Sequence, residues 1–204
     1  MKVVRKQVAA LFYFIAMMMY AQEYTPRFGI KVGENFSFVT KKREEQVAHR
    51  ATLHFGVLLE VPLTEVLAFQ PEIVYSPQGA TIERITAEGM TSHRLQLDYL
   101  NVPLLFKYYV FKGTSIQVGP QVGILLTGNS EKEIFRDGAK ERVTQHISGV
   151  TPLLDLGTTV GIGYQMPQGF FGEVRYYLGL STSYDDMTHE MRNAVFQLAC
   201  GFKF

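Results

Sequence analysis

Histidines, carboxylates and serines are the first residues to weigh for chemistry. His49, His93, His146 and His189 fall in or beside polar, charged stretches, and Asp185-Asp186 stands close to His189. Two carboxylates and an imidazole hold a divalent ion or activate water when they converge. The spacing Asp-Asp-x-x-His matches no specific metal motif, and a solvated loop accounts for it. Ser181, Ser183 and His189 offer a nucleophile and a base at a loop rim, a freedom shared by any stretch rich in Ser, Asp and His. Lys41, Lys42 and Arg43 would meet phosphates, but Glu44 and Glu45 cancel much of their field. Gly157, Gly161 and Gly163 follow a period of two rather than opening a helix, which suits strand packing and not a phosphate loop. The expectation is a protein that is not an enzyme and carries no metal or cofactor.

The elements that position these residues are strands. Period-two alternation marks eight, near 25–38, 51–61, 65–77, 94–110, 114–127, 151–165, 169–181 and 193–204. Most reach ten residues, and a tilted membrane strand needs about 9 to 11. The connections alternate in length. Segments 39–50, 78–93, 128–150 and 182–192 are long, polar and charged. Pro62-Leu63-Thr64, Phe111-Lys112-Gly113 and Met166-Pro167-Gln168 leave room only for tight turns. A meander with short turns at one end and long loops at the other follows, the asymmetry of outer-membrane barrels.

Each strand has an apolar face and a polar one. Leu53, Phe55, Val57 and Leu59 oppose His54, Gly56 and Glu60; Val174, Tyr176 and Leu178 oppose Glu173, Arg175 and Tyr177. A soluble, lipocalin-like barrel would turn the apolar face inward around a ligand. The glycines lie on the polar face and suit a crowded lumen. The polar face also mixes both signs of charge, and Tyr75, Tyr108, Tyr164 and Tyr184 lie toward strand ends, where an interfacial girdle belongs. These features favour the membrane arrangement. The predicted lumen network is Arg27, Lys31, His54, Glu60, Glu72, Lys107, Gln121, Asp155, Glu173, Arg175 and Lys203. Pro71, Pro103 and Pro120 sit inside strands, where each removes a ladder donor, so bulges or kinks are expected there.

The chain opens with Lys2, Arg5 and Lys6 ahead of an apolar run, Val8 to Tyr20. This reads as a secretory signal cut between Ala21 and Gln22, giving a signal peptide over 1–21 and a barrel domain over 22–204. As a membrane anchor the run is short, since a span needs about 20 apolar residues. Losing those three cations takes the formal charge from +1 to −2, because no acid lies in the segment. A near-neutral chain gives no case for nucleic acid. The single Cys200 excludes an internal disulfide.

"LDYLNVPLLFKYYV" (97–110), "VGPQVGILLTG" (118–128), "LGTTVGIGYQM" (156–166), "VRYYLGLST" (174–182) and "FQLACGFKF" (196–204) together resemble the PorT-like outer-membrane β-barrel family of Bacteroidetes, over nearly the whole mature chain. Asn101 departs from it, standing where relatives often carry Glu. The resemblance implies residence in the outer membrane of a Gram-negative bacterium, among its lipids. It implies a C-terminal strand whose Phe202 and Phe204 are recognised by the barrel-assembly machinery, and service alongside secretion or envelope proteins. The expected fold is all-β, an eight-stranded antiparallel up-and-down transmembrane β-barrel behind a cleavable signal peptide. The expected function is a plugged, non-enzymatic barrel that is structural or docks envelope or secretion proteins. The alternatives are a small-ligand-binding barrel of lipocalin type and a loop-rim outer-membrane enzyme.

Overall fold

The computed structural model describes residues 25–40, 47–48, 50–86, 89–136, 139–146, 153–181, 184–186 and 189–204. Eight long strands form the wall: β1 (Arg27–Thr40), β2 (Arg50–Pro62), β3 (Leu67–Thr86), β4 (Gly89–Phe111), β5 (Thr114–Arg136), β6 (Leu154–Gln165), β7 (Phe170–Gly179) and β8 (His189–Lys203). Each pairs antiparallel with its neighbour in sequence, and β8 returns to β1 from Gly29↔Lys203 to Thr40↔Arg192. The Phe204 amide adds a bond to the Phe28 carbonyl at 2.8 Å. The wall is therefore a closed ring without an edge strand in its main body.

Alternation sets the faces. On β7 every second residue is buried without exception, with Phe171, Glu173, Arg175 and Tyr177 inside. Outside stand Leu53 at 69 % exposure, Phe55 at 59 % and Ile162 at 60 %, while Lys107, Gln121 and Lys203 are buried. This inverted polarity is what hydrocarbon demands of a barrel, and it removes the lipocalin-like arrangement.

Three tight turns join strands at one end. Lys112-Gly113 links the pair Phe111↔Thr114, with Gly113 at φ 83°, a left-handed conformation that glycine adopts without penalty. The Thr64 hydroxyl accepts from the amides of Val66 (3.3 Å) and Leu67 (3.0 Å), closing the second turn. Gly169, at φ 100°, donates to the Met166 carbonyl at 3.1 Å in the third.

The opposite end differs from the sequence expectation. Much of 78–93 and 128–150, read as long loops, is strand. β3 has 20 residues and β4 and β5 have 23 each, about twice a membrane crossing. Ala139–His146 extends the sheet by pairing with Asn129–Arg136 of β5. Val47–Ala48 pairs with Thr81 and Ile82, and Tyr184–Asp186 folds against His189–Met191. Polar strands above the apolar band no longer alternate greasy and charged residues, so periodicity did not mark them. Where β3 leaves β2 beyond the pair Phe55↔Tyr75, Asn35 and Thr52 donate to the Pro77 carbonyl at 3.1 and 2.6 Å, and Arg50 donates to that of Gln78 at 2.9 Å.

The prolines carry no register shift, so the bulges expected there are absent. Pairing lapses beside Pro71, Pro103 and Pro120, yet the same register resumes on the far side of each. The register shifts lie elsewhere, at Asp98/Tyr99 and Tyr109/Phe111. Asp98 faces Thr127 while Tyr99 faces Leu125, so Leu126 is the extra residue and stands 51 % exposed. Beyond it the inward face changes parity, from Leu125 to Gly128.

Val160, mid-strand on β6 and 48 % exposed, tests the polarity. Val160→Arg is expected to lower stability in lipid vesicles by about 2–4 kcal/mol, and Val160→Leu to be nearly neutral, as read by urea unfolding.

Candidate functional site

The lumen holds the densest chemistry, and alternate strands build it by pointing their polar residues at the axis. At its centre Lys31 of β1 reaches Glu72 at 2.7 Å and Glu173 at 3.0 Å. Arg175 of β7 grips Glu72 with two nitrogens, at 2.8 and 2.6 Å, and meets Glu173 at 2.8 Å and the Gln117 carbonyl oxygen at 3.1 Å. Two cations thus face two carboxylates, all buried. The two-nitrogen Arg–carboxylate fork is among the stronger protein hydrogen-bonding arrangements and also fixes orientation.

A second group lies toward the short-turn end. One Glu60 carboxylate oxygen accepts from Lys107 (2.8 Å), Lys203 (2.6 Å) and the Tyr109 hydroxyl (2.9 Å). Gln70 connects the two groups, accepting from Lys107 at 3.2 Å and donating to Glu72 at 2.6 Å. Toward the long hairpins the network turns neutral. Gln197 donates to Asn35 and Asn35 to Ser76, both at 2.9 Å; Gln78 donates to Ser76 at 3.0 Å and accepts from Asn193.

Glycines make the room for these chains. A Cβ at Gly161 would stand 2.7 Å from Cγ of Arg175, one at Gly157 would meet the Tyr177 ring, and one at Gly33 would stand 2.6 Å from the His54 ring. The residues singled out as a superficial phosphate loop are thus the hollows into which large cross-strand side chains fit.

Of the predicted lumen residues, Lys31, His54, Glu60, Glu72, Lys107, Gln121, Asp155, Glu173, Arg175 and Lys203 are buried inside. Arg27 is the correction: it has the right parity but lies at the first position of β1, where the wall ends, and it is exposed at the mouth. His54 joins no ion pair; both ring nitrogens lack a partner. Asn101 is buried with its amide nitrogen unpartnered. Sequence reasoning missed Tyr99, Leu97 and Leu125, which form an apolar cluster inside the lumen, because their apolar character argued for the outer face although strand alternation places them inside. Tyr177, read on the polar face of its strand, is buried inside as that alternation requires.

The loop candidates separate. Tyr108 and Tyr164 are exposed on the outer wall, and Tyr75 is half-buried. The Ser181 hydroxyl donates to Asp155 at 2.8 Å and accepts from the Leu156 amide at 2.8 Å, which ties it to the barrel wall. Asp186 pairs with His189 through the backbone ladder. Ala21, Gln22, Lys41, Lys42, Arg43, His49 and Ser183 lie outside the described residues. Among the described residues no cluster of His, Cys, Asp and Glu has the geometry of a metal site.

A closed antiparallel ring with an apolar exterior and an ionised axis is the architecture of membrane-spanning barrels, and a family model for the outer membrane protein beta-barrel domain matches residues 20–185. The chain belongs to the outer membrane protein beta-barrel domain family. This outer-membrane barrel is similar in fold to Ail, the attachment invasion locus protein of Yersinia pestis, at 10 % identity and a TM-score of 0.51, over 87 % of this chain and 98 % of that one. Ail in complex with the heparin analogue sucrose octasulfate gives 11 %, 0.52, 88 % and 99 %. Neisserial surface protein A gives 11 %, 0.48, 87 % and 97 %. No curated protein matches it in sequence. The outer-membrane barrel resides in the outer membrane of a Gram-negative bacterium, with lipid around the wall.

Removing one partner from a buried ion pair leaves a charge uncompensated. Glu72→Gln is expected to cost about 3–5 kcal/mol in urea unfolding from bilayers. Adding Lys31→Met to that variant restores charge balance and should recover much of the loss.

Proposed function

We propose that this protein is a non-enzymatic barrel, closed along its axis, which serves as a structural or docking component for envelope or secretion proteins, in the manner of the PorT-like family of Bacteroidetes. The observation that carries this reading is the pairing of a crosslinked lumen with an extended surface sheet. Eight strands give an interior just wide enough for side chains to fill, and here Arg175, Lys31, Gln117 and Tyr177 occupy it. The long-hairpin end offers something a transport pathway does not need: strands prolonged well past a membrane crossing. Ala139–His146 pairs with β5 alone among the described residues, and its other backbone edge is the one this reading assigns to an extended segment of a partner. Its Lys140, Glu141 and Arg142 are the charges natural edges use against indiscriminate pairing.

The same reading assigns the β8 end to biogenesis. Phe202 stacks edge-on with Phe170 and Phe204, at 4.9 and 5.2 Å, next to the seam that the barrel-assembly machinery must bring together. A signal peptide over 1–21 delivers the chain to that machinery.

Three measurements test the proposal. Single-channel recording should show no stable conductance near that of general porins; finding one overturns the closed axis. Deleting Phe204 should lower outer-membrane levels severalfold, whereas unchanged insertion removes its signal role. Extraction in mild detergent should recover an envelope or secretion protein that is lost when residues 137–146 are replaced by a two-residue turn in a barrel that still folds. Recovery of the assembly machinery alone speaks against docking.

A further inference from the structure

The mouth at the short-turn end, which faces the periplasm by the asymmetry of outer-membrane barrels, has an electrostatic imbalance that the central network lacks. Lys107 and Lys203 share the single carboxylate of Glu60 at 2.8 and 2.6 Å, and all three are buried. With both ammonium groups protonated, one positive charge is left over. Nothing deeper neutralises it, because Gln70 is uncharged and Glu72 and Glu173 are already matched by Lys31 and Arg175. Aromatic rings offset part of the cost: the Lys203 ammonium lies 4.9 Å from the centre of the Phe171 ring and that of Lys107 5.2 Å from that of Tyr109.

Above this floor opens a cavity of about 710 Å³, within the usual range of small-ligand sites, roughly 300–1,000 Å³. On its rim Arg27 and Lys112 are exposed, and among the described residues neither has a salt-bridge partner; Glu65 lines the same opening. Leu67 and Met166 supply apolar wall. A surplus charge behind low-dielectric walls concentrates field at the opening, so the site favours an anion whose remainder is greasy.

We propose that the periplasmic mouth binds an organic anion, a carboxylate or phosphate carried on a small apolar body, with the head directed at Lys203, behind which Lys107 lies across Glu60, and the rim drawing it in through Arg27 and Lys112. Two sources share this chemistry: the headgroup of an acidic phospholipid in the periplasmic leaflet, and a soluble periplasmic anion. The site stands independently of the docking role.

The test uses the full barrel in nanodiscs of phosphatidylcholine, with hexyl phosphate and hexanoate as probes in calorimetry. Saturable binding is expected. The double variant R27Q/K112Q, which changes only exposed rim residues, should weaken it about tenfold, the sum of two contributions near 0.7 kcal/mol each. Glu60→Gln removes the competing carboxylate while keeping a hydrogen-bond acceptor, and should tighten binding; a merely structural lesion would not. Replacing part of the bilayer with phosphatidylglycerol assigns the source: competition with the probe indicates lipid, and its absence indicates a soluble anion. Failure of both probes to bind at millimolar concentration overturns the site, as does equal affinity in wild type and R27Q/K112Q.

Discussion

Hydrocarbon offers no partner to a backbone amide or carbonyl, and the whole architecture answers that fact. Each unmet group would cost several kcal/mol, so a spanning sheet has to close on itself. Here closure is the ladder between β1 and β8, twelve paired positions from Gly29↔Lys203 to Thr40↔Arg192. Once that seam exists, the remaining design follows: apolar residues outward, ionised residues inward, and glycines wherever an inward chain is large. Even Pro71, Pro103 and Pro120 are subordinate to it, since register on both sides of each is kept.

Burying Lys31, Arg175, Glu72 and Glu173 along the axis is tolerable because each charge has its opposite within 3.0 Å. The arrangement links β1, β3 and β7, strands that are not all neighbours in the wall, and so braces the ring across its interior. The network is uneven along its length. It is balanced at the centre, neutral and amide-rich around Asn35 and Gln78, and cationic around Glu60, so the two ends of the lumen present different chemistry to the two compartments.

Period-two alternation made the wall legible, and the inward list drawn from it failed only at Arg27, where a strand's first residue lies beyond the wall it would point into. Partner choice was not legible. Lys31 and Glu173 are 142 positions apart, and which acid meets which base depends on the stagger of strands, a property of all the registers together. The bulge at Leu126 was hidden for a related reason: one extra residue exchanges the two faces, and a run of leucines reads the same either way. Above the membrane, charged strands such as Ala139–His146 lose the contrast between faces that had marked the rest. A long polar segment then reads as loop although its backbone is fully laddered.

The seam between β1 and β8 joins segments more than 150 residues apart along the chain, from Gly29↔Lys203 to Thr40↔Arg192. Contacts that distant are the slowest to form, because most of the loop-closure entropy is lost before any of them rewards it. A half-made wall would expose greasy flanks and bare strand margins in the aqueous space it must cross. Delivery of this polypeptide therefore calls for escorts that keep it unfolded until lipid is at hand.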